Sequence, residues 1–123
     1  MSSLESGKYS IAFSSGCAAI TTLMMLLENG DEVISSEEIS GSGRGLFSRV
    51  IAKKISIKFN YIDCTNLKTV ENAIKTMKNV KMIFLETPSN PCLRLNDIEE
   101  IAKLCKIEKI ILAVDSTFAT PYL

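Results

Sequence analysis

The chain has 123 residues, with 14 basic and 14 acidic side chains for a formal net charge of zero and 46% hydrophobic content, a balance that suits one domain with a modest core. It contains no histidine, which excludes Ser-His-Asp triads, Cys-His pairs and His-ligated metals. No basic run exceeds Lys53-Lys54, no apolar run reaches spanning length and the N-terminus lacks the regions of a signal peptide, so neither a nucleic-acid partner nor a membrane contact is expected, and a cytoplasmic protein is.

Tyr9–Phe13 reads as a first strand, closed by Ser14-Ser15-Gly16. Cys17–Leu27 is apolar on nearly every side, the pattern of a buried helix, and Asn29-Gly30 is a suitable stop. Ser14-Ser15-Gly16 has two readings: a small-residue turn whose free N–H groups cradle a phosphate, or a serine N-cap beside a glycine turn. Asp31–Ser35 reads as a second strand. The following segment, Glu37–Gly45, has glycines at 41, 43 and 45 but matches neither GxGxxG nor GxxxxGK[ST], and a flexible surface loop is expected. Gly45–Lys54 reads as a short helix with Leu46, Phe47, Val50 and Ile51 on one side, and Ile55–Ile62 as a third strand.

Thr65 or Asn66 can cap the next helix, whose apolar positions Leu67, Val70, Ile74 and Met77 keep helical spacing. Val80–Leu85 alternates little, as a strand covered on both faces does. Asp97–Lys106 carries Ile98, Ile101, Ala102 and Cys105 on its inner side and a Glu99–Lys103 pair outside. Ile110–Val114 is the fifth strand. The cysteines, Cys17, Cys64, Cys92 and Cys105, form no CxxC pair, which favours buried, reduced packing residues over a disulfide frame or a zinc site.

Strands alternating with helices predict an α/β fold, a mostly parallel sheet covered by helices on both faces. Two strands end abruptly in polar, proline-punctuated stretches, Glu86-Thr87-Pro88-Ser89-Asn90-Pro91 and Asp115-Ser116-Thr117-Phe118-Ala119-Thr120-Pro121-Tyr122. Ligands of such sheets sit at the carboxyl ends of the strands. Asp115 and Asn90 are therefore expected close to whatever is bound; their alternative roles are strand-end turn residue and proline-turn former.

Together with Phe13-Ser14-Ser15-Gly16-Cys17-Ala18-Ala19, Asp97-Ile98 and Ile101-Ala102, these stretches resemble the cystathionine γ-lyase/γ-synthase family of pyridoxal-phosphate (PLP) enzymes of cysteine and methionine metabolism. The resemblance implies the fold type I, aminotransferase-like large domain. It implies that Ser15, Gly16 and Cys17 supply groups to the PLP phosphate, that Asp115 pairs with the pyridine nitrogen, that Thr117 lies beside the ring and that Asn90 bonds near its phenolic oxygen or the substrate. A carboxylate at Asp115 favours the protonated ring, which then accepts electron density from a substrate carbanion.

Departures from the family pattern accompany the likeness. The family's Tyr-Gly-Gly-Thr, whose tyrosine stacks on the ring, reads Ser40-Gly41-Ser42-Gly43, and its Asp-Asn-Thr-Phe reads Asp115-Ser116-Thr117-Phe118. The Schiff-base lysine of a Ser-x-Thr-Lys stretch, an upstream Tyr-x-Arg segment and a C-terminal domain have no counterpart, so residues 1–123 are expected to form a single, partial PLP-binding domain without catalytic turnover of its own. The resemblance implies a carbon–sulfur lyase closest to cystathionine γ-lyase, with a sulfur amino-acid substrate and a homo-oligomeric state. The alternatives are a non-catalytic homologue bound to a full-length relative, and a decayed gene product.

Overall fold

A computed structural model describes residues 1–121; Tyr122, part of the last motif, lies outside them. Strands β1 (Glu32–Ser36), β2 (Lys58–Ile62), β3 (Val80–Glu86) and β4 (Ile111–Asp115) form one parallel sheet in the order β2-β1-β3-β4. The helices are α1 (Gly16–Met24), α2 (Gly41–Gly45), α3 (Ala52–Lys54), α4 (Leu67–Thr76) and α5 (Ile98–Glu108), with a π-helical stretch, Leu46–Ile51, joining α2 to α3.

Side chains alternate across a strand, and this sheet is covered on both sides. Val33, Met82 and Phe84 pack against Met24 at the end of α1 and against Phe47 and Ile51 of the π-helical stretch. Ile34, Ile83 and Leu85 pack against Val70 and Ala73 of α4 and Ile101 and Cys105 of α5. From Met82 to Glu86 every residue of β3 is buried, which explains its unalternating sequence. The connection from β1 to β2 runs through α2 and α3. Those from β2 to β3 and from β3 to β4 run through α4 and α5, on the opposite face. The chain therefore leaves β1 in one direction and returns past it in the other, and the loops following β1 and β3 diverge at this reversal.

Among the described residues four strands are seen where five were expected. Residues 9–13 are irregular, with Tyr9 79% and Ile11 78% exposed, and pair with neither edge of the sheet. The expected loop over Glu37–Gly45 is half helical. Ser40 Oγ accepts the Gly43 N–H at 3.4 Å, the Arg44 N–H bonds to the Ser40 carbonyl, and the Arg44 guanidinium lies 4.2 Å from the Tyr61 ring centroid. Capping and packing outweigh the poor helix propensity of the glycines. A Cβ on Gly43 would stand 3.3 Å from Ser40 Oγ, so the tight cap itself favours glycine there.

Helix α1 is shorter and less buried than its sequence suggests. It ends at Met24, after which Met25, Leu26 and Leu27 donate to carbonyls three residues back. Met25 and Leu26 are exposed, and Gly30, at φ 90°, turns the chain into β1. Helix α4 starts at Asn66, one of the two caps expected, α5 is capped by Asp97, and Lys103 bridges Glu99 at 3.0 Å. Ile98, expected on the inner side, is 42% exposed. Cys64 and Cys105 are buried, whereas Cys17 and Cys92 are exposed: the packing role holds for two of the four.

Phe47 joins the first face of the core, stacked on Phe59 at 4.5 Å and edge-on to Phe84 at 5.1 Å. Phe47→Ala is expected to cost about 3–5 kcal/mol of unfolding free energy, and Val50→Ala, on the exposed side of the same helical stretch, under about 0.5 kcal/mol. Urea denaturation of the two variants checks the contrast; equal losses would contradict this placement of the core.

Candidate functional site

A cavity of about 330 Å³ opens at the carboxyl ends of β1, β3 and β4, beside the start of α1. Ser15, Gly16, Cys17, Asn90, Asp115 and Thr117 all line it. All six residues singled out in the sequence thus come from three segments to one place. Ser40, Ser42, Glu86, Pro88, Phe118 and Ile20 complete the wall. A larger, more apolar recess of about 650 Å³ shares Gly16, Ile20, Asp115 and Thr117 with it and continues between α1 and β4.

The Ser15 side chain caps α1 by accepting the Ala18 N–H at 3.1 Å, and the Ser15 carbonyl accepts the Ala19 N–H. The N-cap reading is therefore realised, and it leaves the anion site intact. The N–H groups of Gly16 and Cys17 have no carbonyl a turn earlier to bond. They stand at the positive end of the helix dipole. A Cβ built on Gly16 meets no atom within 4 Å, so the chain's own packing does not require glycine here; the space a side chain would take is open beside the cavity.

Across the site, one Asp115 carboxylate oxygen, Oδ1, accepts both the N–H and the hydroxyl of Thr117. Those two bonds fix the carboxylate's orientation. The Asp115 carbonyl accepts the Thr87 N–H at 3.0 Å, so the β3–β4 ladder runs on to the cavity edge. Ser40 stands where the family pattern has tyrosine. Its hydroxyl is used in capping α2 and lies 3.4 Å from Ser42 Oγ, so this wall presents hydroxyls rather than an aromatic face.

Glu86 is the residue that sequence reasoning missed. It is only 6% exposed; its Oε2 accepts the Ser40 N–H at 2.8 Å and its Oε1 the Asn90 N–H at 2.9 Å. The available signal was a charge at the end of an otherwise apolar strand. No group of metal-ligating side chains and no membrane-length apolar helix occurs among the described residues.

The donor set suits a phosphorylated, protonated heteroaromatic ring. Free amides and serine hydroxyls offer hydrogen bonds to a phosphate, while an oriented carboxylate offers an acceptor to a ring N–H. No Lys or Arg lines the cavity, so an anion there would be held by backbone amides at the start of α1 rather than by a charged side chain.

A doubly covered parallel sheet with its cavity at the strand ends places the molecule among the α/β cofactor-binding folds. The chain belongs to the family of Cys/Met metabolism PLP-dependent enzymes, whose model matches residues 1–123. It is 40% identical over 119 residues to a cystathionine gamma-lyase of Bacillus subtilis, covering 97% of this chain and 31% of that protein. To a cystathionine beta-lyase of Staphylococcus haemolyticus it is 38% identical over 121 residues, 98% of this chain and 30% of the relative. The crystal structure of cystathionine gamma-lyase from Lactobacillus plantarum, complexed with L-serine, superposes with a TM-score of 0.91 at 36% identity, over 98% of this chain and 31% of that one. The chain thus spans about a third of the length of the relatives it matches.

Thiol chemistry reads out the site directly. Burial pushes Cys64 and Cys105 up to about 11, and the hydrogen bond to the Glu38 carboxylate raises Cys92. A neutral thiol is a poor nucleophile, so at pH 8 Cys17 is expected to be alkylated first, Cys92 more slowly, and the two buried thiols only after denaturation. Pyridoxine 5′-phosphate, whose alcohol cannot condense with lysines, is expected to protect Cys17 and leave the Cys92 rate unchanged. Peptide mapping of iodoacetamide-treated protein checks both; equal protection of Cys92 would point to a different site.

Proposed function

We propose that this chain forms the phosphate- and ring-binding part of a PLP-dependent carbon–sulfur lyase closest to cystathionine γ-lyase, acting on a sulfur amino acid. The single observation carrying this reading is the convergence of Ser15, Gly16, Cys17, Asn90, Asp115 and Thr117 on one cavity, in a chain that belongs to the family. The similarity to a lyase crystallised with L-serine supports an amino acid as the second ligand.

When bound, PLP supplies an electron sink that stabilises a carbanion at the substrate α-carbon. The chain's own residues set that chemistry up. The Gly16 and Cys17 amides, with the Ser15 hydroxyl, hold the phosphate by hydrogen bonds and the helix dipole. Asp115 holds a proton on the ring nitrogen, because a carboxylate partner favours the charged form of a neighbouring base. Thr117 keeps that carboxylate oriented through its two bonds to Oδ1. Asn90 donates its side-chain amide toward the oxygen substituent of the ring. Apolar walls at Ile20 and Phe118 limit water around it.

Covalent attachment and α-proton transfer need a lysine at the ring aldehyde. The chain has 14 basic residues, of which Arg44, Arg49 and Arg94 leave eleven lysines, and none of them lines the cavity. The chain by itself therefore binds the cofactor without turning over substrate. A second reading is a non-catalytic subunit joined to a full-length relative; it draws on Ser40 in place of an aromatic residue and on the exposed Tyr9, Ile11 and Phe13.

Two measurements test the proposal. Calorimetry is expected to detect pyridoxine 5′-phosphate binding that weakens at least about tenfold in Asp115→Asn, the scale of one charge-assisted hydrogen bond. Unphosphorylated pyridoxine is expected to bind more weakly still. No difference between the two pyridoxines would remove the phosphate cradle from the account. In the second assay the chain, PLP and cystathionine are incubated and 2-oxobutanoate is measured; none is expected above the rate with PLP alone, and robust production would identify a lysine that reaches the ring.

A further inference from the structure

Glu86 does something that neither burial nor strand pairing requires. Its carboxylate is almost fully removed from water, and among the described residues no Lys or Arg pairs with it. A buried carboxylate is costly unless each oxygen is hydrogen-bonded. Here each oxygen has one backbone N–H: Ser40, 46 positions earlier, and Asn90, four positions later. The two partners belong to the loops after β1 and β3, which diverge at the reversal and both line the cavity.

We propose that Glu86 is a positioning residue for the bound cofactor: by gripping the Ser40 and Asn90 amides it sets the opening between the two loops and holds Asn90 where it meets the ring. The proposal rests on the cofactor-binding reading above. A carboxylate is needed because both atoms must accept. Glutamine has one acceptor oxygen, and its NH₂ would face an amide N–H, so one loop would be released with an unpaired donor. The phosphate grip at Gly16 and Cys17 lies on α1 and is independent of the clamp. Glu86 therefore governs ring binding separately from phosphate binding.

The test compares wild type with Glu86→Gln by amide hydrogen exchange and by titration with pyridoxine 5′-phosphate and with inorganic phosphate. In the variant, exchange at Ser40 or Asn90 is expected to speed up at least tenfold. Pyridoxine 5′-phosphate affinity is expected to fall about tenfold, the scale of one lost hydrogen bond to a charged group, while inorganic phosphate affinity stays within twofold. Unchanged exchange at both amides, unchanged pyridoxine 5′-phosphate affinity, or equal losses for both ligands would overturn the proposal. If Glu86→Gln does not fold, the wild-type protein still decides: the Ser40 and Asn90 amides are expected to be protected from hydrogen exchange, and exchange at the unprotected rate at both contradicts the clamp. Failure of the wild type to bind either ligand refutes the cofactor reading, and with it the role for Glu86 in ring binding, whereas the exchange result reports on the clamp alone.

Discussion

The reversal between β1 and β3 is the constraint on which the rest of the structure depends. Parallel strands need long crossovers, and crossovers that proceed in opposite directions from a central strand use opposite faces of the sheet. The π-helical stretch between α2 and α3 therefore covers one face, together with α1, and α4 and α5 cover the other. The same geometry separates the loops at the carboxyl ends of β1 and β3, and a cavity results without further design. Helix α1, anchored by its own Met24 on the first face, brings its amino end to that gap.

An opening between two loops is useful only if its width is fixed. On the inner side Glu86 joins the loops through backbone amides, independent of any neighbouring side chain. On the outer side Arg94 reaches Glu37 and Glu38 at 3.2 Å and Asp63 at 3.7 Å, linking the ends of β1, β2 and β3. Arg94 is 44% exposed, so each of these contacts is individually weak. Its value lies in joining three strand ends at once. The Ser89 hydroxyl accepts the Arg94 N–H and donates to Glu38, which folds the proline loop back over the strand that precedes it. Rigid loops on a rigid sheet suit a ligand gripped at two ends, by phosphate and by ring nitrogen.

The strongly patterned parts of this fold were legible in the sequence. Strand β3 announced itself as an apolar run, and α4 and α5 as periodic stretches behind Asn66 and Asp97, because those signals are local. What was misread depended on distant partners. Tyr9–Phe13 has strand character but pairs with neither edge of the sheet. Residues 41–44 look like part of a glycine loop, yet the Ser40 cap and Arg44 over Tyr61 make them helical, continuous with the helix expected over Gly45–Lys54. Asn90 and Asp115 stood out as polar residues at strand ends and Ser15-Gly16 as a strand-to-helix turn, whereas Cys17 and Thr117 were singled out only through the family resemblance. Glu86 was not legible, because its role is defined by an amide 46 residues away.

The central claim is that one cavity grips a phosphate at the start of α1 and a ring nitrogen at the end of β4. The most direct measurement is a crystal structure of the chain with pyridoxine 5′-phosphate. The account predicts the phosphate within hydrogen-bonding distance of the Gly16 and Cys17 N–H groups and the pyridine nitrogen against the Asp115 carboxylate. A ligand bound elsewhere, or one reversed so that its phosphate lies near Asp115, would contradict it.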